Sequence, residues 1–320
     1  DMPSGSGALS YRLSREGFDV TGCDLVPENF EPEDIPVVRG DFSDQLPFDD
    51  ASFDYVTFVE GPEHAERVIL TSPVLSPAKY SRLLNLEDEK FASCRLDLSY
   101  DPEQHNLAEA IDLLCEQAAM AVRDGKVVLA LSDRRLEQGR LPIHALLATG
   151  AVHHSLIKAG LRCSANILLE TATARDSHHF ACLLGFGATA VYPYLSYAVL
   201  DDLMRTGELL GEPGRCYKNY RKGINKGLLK IMSKMGISTM ASYRGAQLFE
   251  VVGLASEVVN RCFSGAASRI EGAGFDELEA DQKALAKLAW TKRKPIEPGG
   301  LLKFVHGQEY HAFNPDVVKG

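Results

Sequence analysis

The 320-residue chain has no run of about 18 apolar residues, so a membrane-spanning helix is not expected. Its opening, Asp1-Met2-Pro3-Ser4-Gly5, lacks the basic-then-apolar pattern of a secretory leader, and a start at Asp1 predicts a truncated N-terminus. The seven cysteines are an odd number and include no CxxC pair, which argues against a disulfide framework, a zinc site or an ordinary iron–sulfur site. Buried, reduced thiols in a cytoplasmic protein are expected instead. Positive charge is also short: the net charge of −10 makes nucleic acid a poor partner, because phosphate binding needs a basic surface.

What is present is ordinary in bulk and uneven in detail. Hydrophobic residues make up 45% and charged residues 24%, as in globular proteins, and the length suits about two domains. Residues 1–64 hold three Lys/Arg against fifteen Asp/Glu, whereas the rest hold 31 basic and 29 acidic residues. This break, near His64–Arg67, divides the chain into segments 1–64 and 65–320.

In the first segment, Pro3-Ser4-Gly5-Ser6-Gly7 precedes a helix pattern over 8–16 that Gly17 closes. A strand over 18–24 then ends in the acid Asp24, a short strand over 35–38 precedes Asp41, and 53–59 has the β-branched and aromatic content of a buried parallel strand. Glycines at a strand-to-helix turn admit a ligand close to the backbone, and an acid about 20 residues on suits the two hydroxyls of a ribose. This ordered set resembles the front of a class I S-adenosylmethionine-dependent methyltransferase, a Rossmann-like βαβ segment. The resemblance implies that Gly5 and Gly7 pass the methionine part of S-adenosylmethionine, Asp24 holds its ribose and Asp41 lies near the adenine. Most of the family's first strand and everything after its fourth are missing.

The second segment alternates strands and helices, which predicts an α/β architecture of parallel strands with covering helices. Asn106 and Glu109 form a capping box for a helix that places Leu107, Ile111, Leu114, Ala118 and Val122 on one face and ends at Gly125. Strands are expected at 127–133, 165–171, 188–194 and 237–243, and helices at 142–160, 178–184, 196–209, 219–235 and 276–290. His153-His154 and His178-His179 read as packing or capping residues rather than metal ligands, since neighbours face different ways on a helix. Asp176 reads as a helix cap, Gly185 and Gly187 as a tight helix-to-strand turn, and the Lys/Arg-rich run 218–234 as a solvated face opposite Ile224, Leu228 and Ile231. No acid–base pair or activated nucleophile stands out.

Several blocks are specific: Leu131-Ser132-Asp133-Arg134, Thr171-Ala172-Thr173-Ala174-Arg175-Asp176-Ser177-His178-His179-Phe180, and Asn219-Tyr220-Arg221-Lys222-Gly223-Ile224-Asn225-Lys226-Gly227. On these, residues 66–320 resemble the central domain of the glutamate synthase large (alpha) subunit, running to the start of its FMN-binding domain. The family makes two glutamates from glutamine and 2-oxoglutarate, using FMN and a 3Fe-4S cluster in a flavin domain, with NADPH or ferredoxin as electron source. The resemblance implies an interdomain scaffold and ammonia-path wall. Its partners would be the amidotransferase and FMN domains and a small NADPH-oxidising subunit. Neither the amidase nor the flavin domain is expected here, so catalysis by this chain alone is not expected, and no catalytic or metal residue is assigned. Two other readings stand beside it: a methyltransferase acting through the first segment, and a chimeric gene product without a function as a unit.

Overall fold

A computed structural model describes residues 14–15, 20–24, 33–39, 68, 70–291, 306 and 314–319. The chain divides into two units, Asp1–Thr71 and Ser72–Gly320.

In the first unit, β1 (Gly22–Asp24) and β2 (Val37–Arg39) pair in parallel, with Asp24 opposite Arg39, and Ile35 is buried beside them. Both strands lie at or within one residue of the expected ranges. Ser14 and Arg15 are helical, as the 8–16 pattern anticipates. The expected strand over 53–59 lies outside the described residues.

The second unit is built on a parallel sheet of four strands in the order β3 (Ser93–Asp97), β5 (Val128–Ser132), β7 (Asn166–Glu170) and β8 (Ala190–Tyr192). Two short strands, β4 (Ser99–Tyr100) and β6 (Leu141–Pro142), pair beside it in antiparallel fashion. Val74 extends the β8 edge: its neighbour Leu75 donates N–H to Val191 O at 2.9 Å, and Val191 N–H donates to Pro73 O at 2.8 Å.

The order of the strands in the sheet is their order in the chain. Parallel crossovers are right-handed, so a sheet that never reverses direction places every crossover helix on the same side. Those helices are α2 (Leu107–Arg123), α3 (Ala145–Lys158) and α4 (Ser177–Gly185). The strand residues that alternate toward them, Leu96, Leu129, Leu131, Ile167, Leu169 and Val191, all belong to the main apolar core. The opposite face instead meets α1 (Pro77–Leu84), whose Tyr80 and Leu83 are buried.

Local chemistry explains the helices. The capping box is present at α2, where Asn106 Oδ1 accepts from Glu109 N–H and Glu109 Oε2 from Asn106 N–H, at 2.9 and 3.0 Å. All five residues assigned to its inner face are buried. Asp176 caps α4, accepting from the N–H groups of His178 and His179 at 2.9 and 3.0 Å. These donors hold the Asp176 carboxyl below its ordinary range. Next come α5 (Tyr194–Arg205) and α6 (Pro213–Met235); the latter buries Ile224, Leu228 and Met232, while Ile231, expected inside, is only half-buried.

The expected strand over 237–243 is not formed. Gly236 ends α6 in the left-handed region at φ 70°, and Thr239 then caps the short α7 (Met240–Tyr243). The β-forming residues there serve packing instead, Tyr243 being 2% exposed in the core. A parallel pair that the sequence pattern did not announce, β9 (Glu250–Leu254) and β10 (Ala267–Ala273), follows, with α8 (Ser256–Cys262) between its strands. Helix α9 (Phe275–Ala289) comes next, and its Glu279 accepts from Leu107 N–H at 2.5 Å, tying it to the start of α2. The short α10 (Pro315–Lys319) comes last.

Candidate functional site

Chemistry-bearing side chains gather on the face of the sheet that the crossover helices leave open. Strand register sets the gathering: Asp97, Ser132, Glu170 and Tyr192 are lateral neighbours, and Arg95 lies two residues before Asp97 on the same face. Of these, Arg95, Glu170 and Tyr192, with Tyr80 from α1 and Arg134 and Arg135 from the loop after β5, line a cleft of about 600 Å³. Crevices outside the carboxyl ends of parallel strands are the usual ligand positions in α/β sheets.

Glu170 is the hub and is 1% exposed. Its Oε2 accepts from Ser132 Oγ at 2.6 Å and from Tyr80 OH at 3.2 Å, and Arg95 stands 3.6 Å from the same oxygen. Its Oε1 accepts from Arg134 Nη1 at 3.3 Å. Tyr80 and Tyr192 stack with centroids 4.6 Å apart, while Arg134 lies 5.0 Å from the centre of the Tyr194 ring. Burial, reinforced by the Glu170 charge, pushes the Tyr80 hydroxyl well above its ordinary range and keeps it a donor. Burial opposes the charge of Arg134, but the Tyr192 hydroxyl and Glu170 outweigh it and raise the guanidinium pKa.

Asp133, the next residue after β5, staples the strand ends. Its carboxylate accepts from Thr171 Oγ1 at 2.5 Å and from Ala172 N–H at 3.0 Å. Burial raises the Asp133 pKa, and these donors oppose that rise. A carboxylate bound on all sides by protein donors is a structural anion rather than a poised base. The arginines differ, because the side chains of Arg95 and Arg134 are 40% and 52% exposed, and each guanidinium has five N–H donors, more than Glu170 takes up.

Of the four residues assigned to S-adenosylmethionine, the structure places the backbone of Asp24, at the carboxyl end of β1. Gly5, Gly7 and Asp41 lie outside the described residues. Of the histidine pairs, His153 is a packing residue, its Nδ1 accepting from Arg162 Nε at 2.8 Å with burial lowering its pKa to about 4, whereas His178 is exposed and His179 half-buried. Gly187 turns at φ 122°, where a Cβ would meet the His153 ring at 2.5 Å. Among the described residues no three His, Cys, Asp or Glu come together as a metal site. The six cysteines whose side chains are described are free; Cys216 and Cys262 are buried as expected, but Cys94, Cys115 and Cys182 are half-buried and Cys163 is exposed, contrary to the expectation for the set.

Tyr80, Arg95 and Glu170 were missed in the sequence, although the block Leu131–Arg134 marked the end of β5. The signal that could have found Glu170 is a lone acid closing the apolar run Ile167-Leu168-Leu169, level with Ser132 at the end of its own strand.

The family model of the glutamate synthase central domain matches residues 54–255, and that of a methyltransferase domain matches residues 1–71. Ferredoxin-dependent glutamate synthase 1, chloroplastic/mitochondrial, of Arabidopsis thaliana is 42% identical over 275 residues, covering 81% of this chain and 17% of the relative. The glutamate synthase [NADPH] large chain of Bacillus subtilis (strain 168) is 36% identical over 257 residues, covering 80% and 17%. The chain thus spans about a sixth of the length of these curated relatives. Among solved structures, a mutant flavocytochrome b2 with benzoylformate aligns at TM-score 0.31 and 16% identity, over 41% of this chain and 31% of that one, a likeness too low to carry any argument. By the family match over 54–255, the chain belongs to the glutamate synthase central-domain family.

Proposed function

We propose that residues 65–320 serve as a non-catalytic spacer within a glutamate synthase large chain, holding an amidotransferase domain and an FMN domain in register and contributing wall to the path of ammonia between them. Residue Glu170 carries this reading: the buried acid at the centre of the polar face is committed to Ser132, Tyr80, Arg95 and Arg134 rather than left available for proton transfer. FMN and the 3Fe-4S cluster belong to the neighbouring domain. The scattered described cysteines do not fit a cluster, since no three potential metal ligands converge among the described residues. A small NADPH-oxidising subunit and a cytoplasmic setting complete the proposal. Among the described residues no helix is long and apolar enough to cross a membrane. The test supplies residues 66–320 in frame to a glutamate synthase lacking only its central domain. Glutamine-dependent glutamate formation should return, and a soluble, folded product without it would overturn the spacer role.

A second reading concerns residues 1–64, where the methyltransferase match and the parallel pair β1–β2 ending in Asp24 favour a site for S-adenosylmethionine. Both family models claim 54–71, which supports a junction between the segments in that stretch. Calorimetric titration with S-adenosylmethionine decides: micromolar binding supports the site, and no detectable heat sinks it. A chimeric origin predicts that long sequencing reads across the codons for Glu60–Leu70 lack the join in the genome.

A further inference from the structure

Three guanidinium groups, those of Arg95, Arg134 and Arg135, share the open cleft with one carboxylate, Glu170. The excess is two positive charges. Arg95 and Arg134 each approach Glu170 through one nitrogen, at 3.6 and 3.3 Å, and each guanidinium has five N–H donors in a planar fork. Arg135 is exposed and makes no ion pair among the described residues.

The guanidinium planes are held rather than free. Arg134 lies 5.0 Å from the Tyr194 ring centre and Arg95 lies 6.0 Å from that of Tyr80. Beneath them the floor is dry, with Tyr80 3%, Tyr192 7% and Glu170 1% exposed. A charged cleft with a low-dielectric wall concentrates its field on whatever enters. The volume of about 600 Å³ falls within the ordinary range for small-molecule sites, and the site stands at the carboxyl edge of a parallel sheet.

We propose that this cleft binds a small doubly charged oxyanion, of the dicarboxylate or phosphate class, through Arg95, Arg134 and Arg135. Glu170 is then a positioning residue that fixes two of the forks from below while the ligand takes their outward N–H groups. Ser81 and Asn85 at the rim add polar groups beside it. This goes beyond the spacer role and does not depend on it, because the binding itself involves no glutamate formation.

The experiment is calorimetric titration of the full chain at low salt with succinate, inorganic phosphate and, as a monoanion control, acetate. At least one dianion should bind with a sub-millimolar Kd and about tenfold or more tighter than acetate, as charge-assisted contacts from forked donors require. Succinate tighter than phosphate assigns the dicarboxylate class, and the reverse assigns the phosphate class. Arg135→Gln and Arg95→Gln should each weaken the preferred dianion about tenfold with unchanged circular dichroism. Arg269→Gln, which breaks a surface pair with Glu250 on the β9–β10 ribbon, should leave the Kd unchanged. No heat with either dianion, acetate binding as tightly, or equal losses in the Arg135 and Arg269 variants would each overturn the proposal.

Discussion

The helix-covered face of the sheet and its cleft face are made by alternate residues of the same four strands, yet they are held by different forces. On the covered side, Leu96, Leu129, Leu131, Ile167, Leu169 and Val191 join one apolar core, and each buried side chain of this kind contributes about 1.5–3 kcal/mol. On the cleft side, small residues such as Ala130 and Ala190 leave room for polar neighbours, and the arginine–carboxylate pairs are half open to water. Exposed ion pairs are worth about 1 kcal/mol or less. The contrast follows from topology: one face received all three crossover helices, and the other meets the short α1, beside which the cleft opens.

Three substitutions sharpen that contrast, in order of size. Leu169→Ala opens a cavity in the covered face and should lower stability by about 3–4 kcal/mol in urea unfolding. A loss below about 1 kcal/mol would mean that this face is not the tight core described.

The second lies behind the covered face, where His153 on α3 is 8% exposed with its pKa lowered to about 4. A histidine whose pKa is lower folded than unfolded leaves stability intact above the unfolded value, about 6.5, and loses it as pH falls toward the folded one. Unfolding free energy should therefore drop by roughly 3 kcal/mol more in the native chain than in His153→Gln between pH 7 and pH 4. Parallel pH profiles for the two would show that burial does not hold His153 neutral.

The third touches the cleft face. Glu170→Gln keeps the shape but removes the charge and turns one of the two acceptor oxygens into a donor, so the expected cost is about 2 kcal/mol, smaller than that of Leu169→Ala. A cost as large as the leucine's would erase the proposed difference between the faces.

The sequence carried the local features well. Asn106 and Glu109 announce α2 because capping is a contact three residues long, and the apolar runs at 127–133 and 165–171 announce strands buried on both sides. It failed where long-range packing overrode propensity. Ile237, Thr239 and Tyr243 have strand character, but Gly236 stops the preceding helix and Tyr243 is drawn into the core as part of a short helix. β10 was illegible for the opposite reason: its residues Ala267 to Gly272 are all exposed, so no alternation marks it. The Ser-Cys-Arg-Leu-Asp run of β3 gives too short a pattern to separate strand from loop.

By itself, then, the sequence determined the family resemblance, the alternation of helices and strands and the caps, because each depends on residues near one another in the chain. The cleft was decided by tertiary structure alone. Tyr80 meets Glu170 across 90 positions and Ser132 meets it across 38, and only the lateral register of parallel strands brings them to one edge. Which face those residues share is a property of strand order and crossover handedness, and neither is written in any short stretch of the chain.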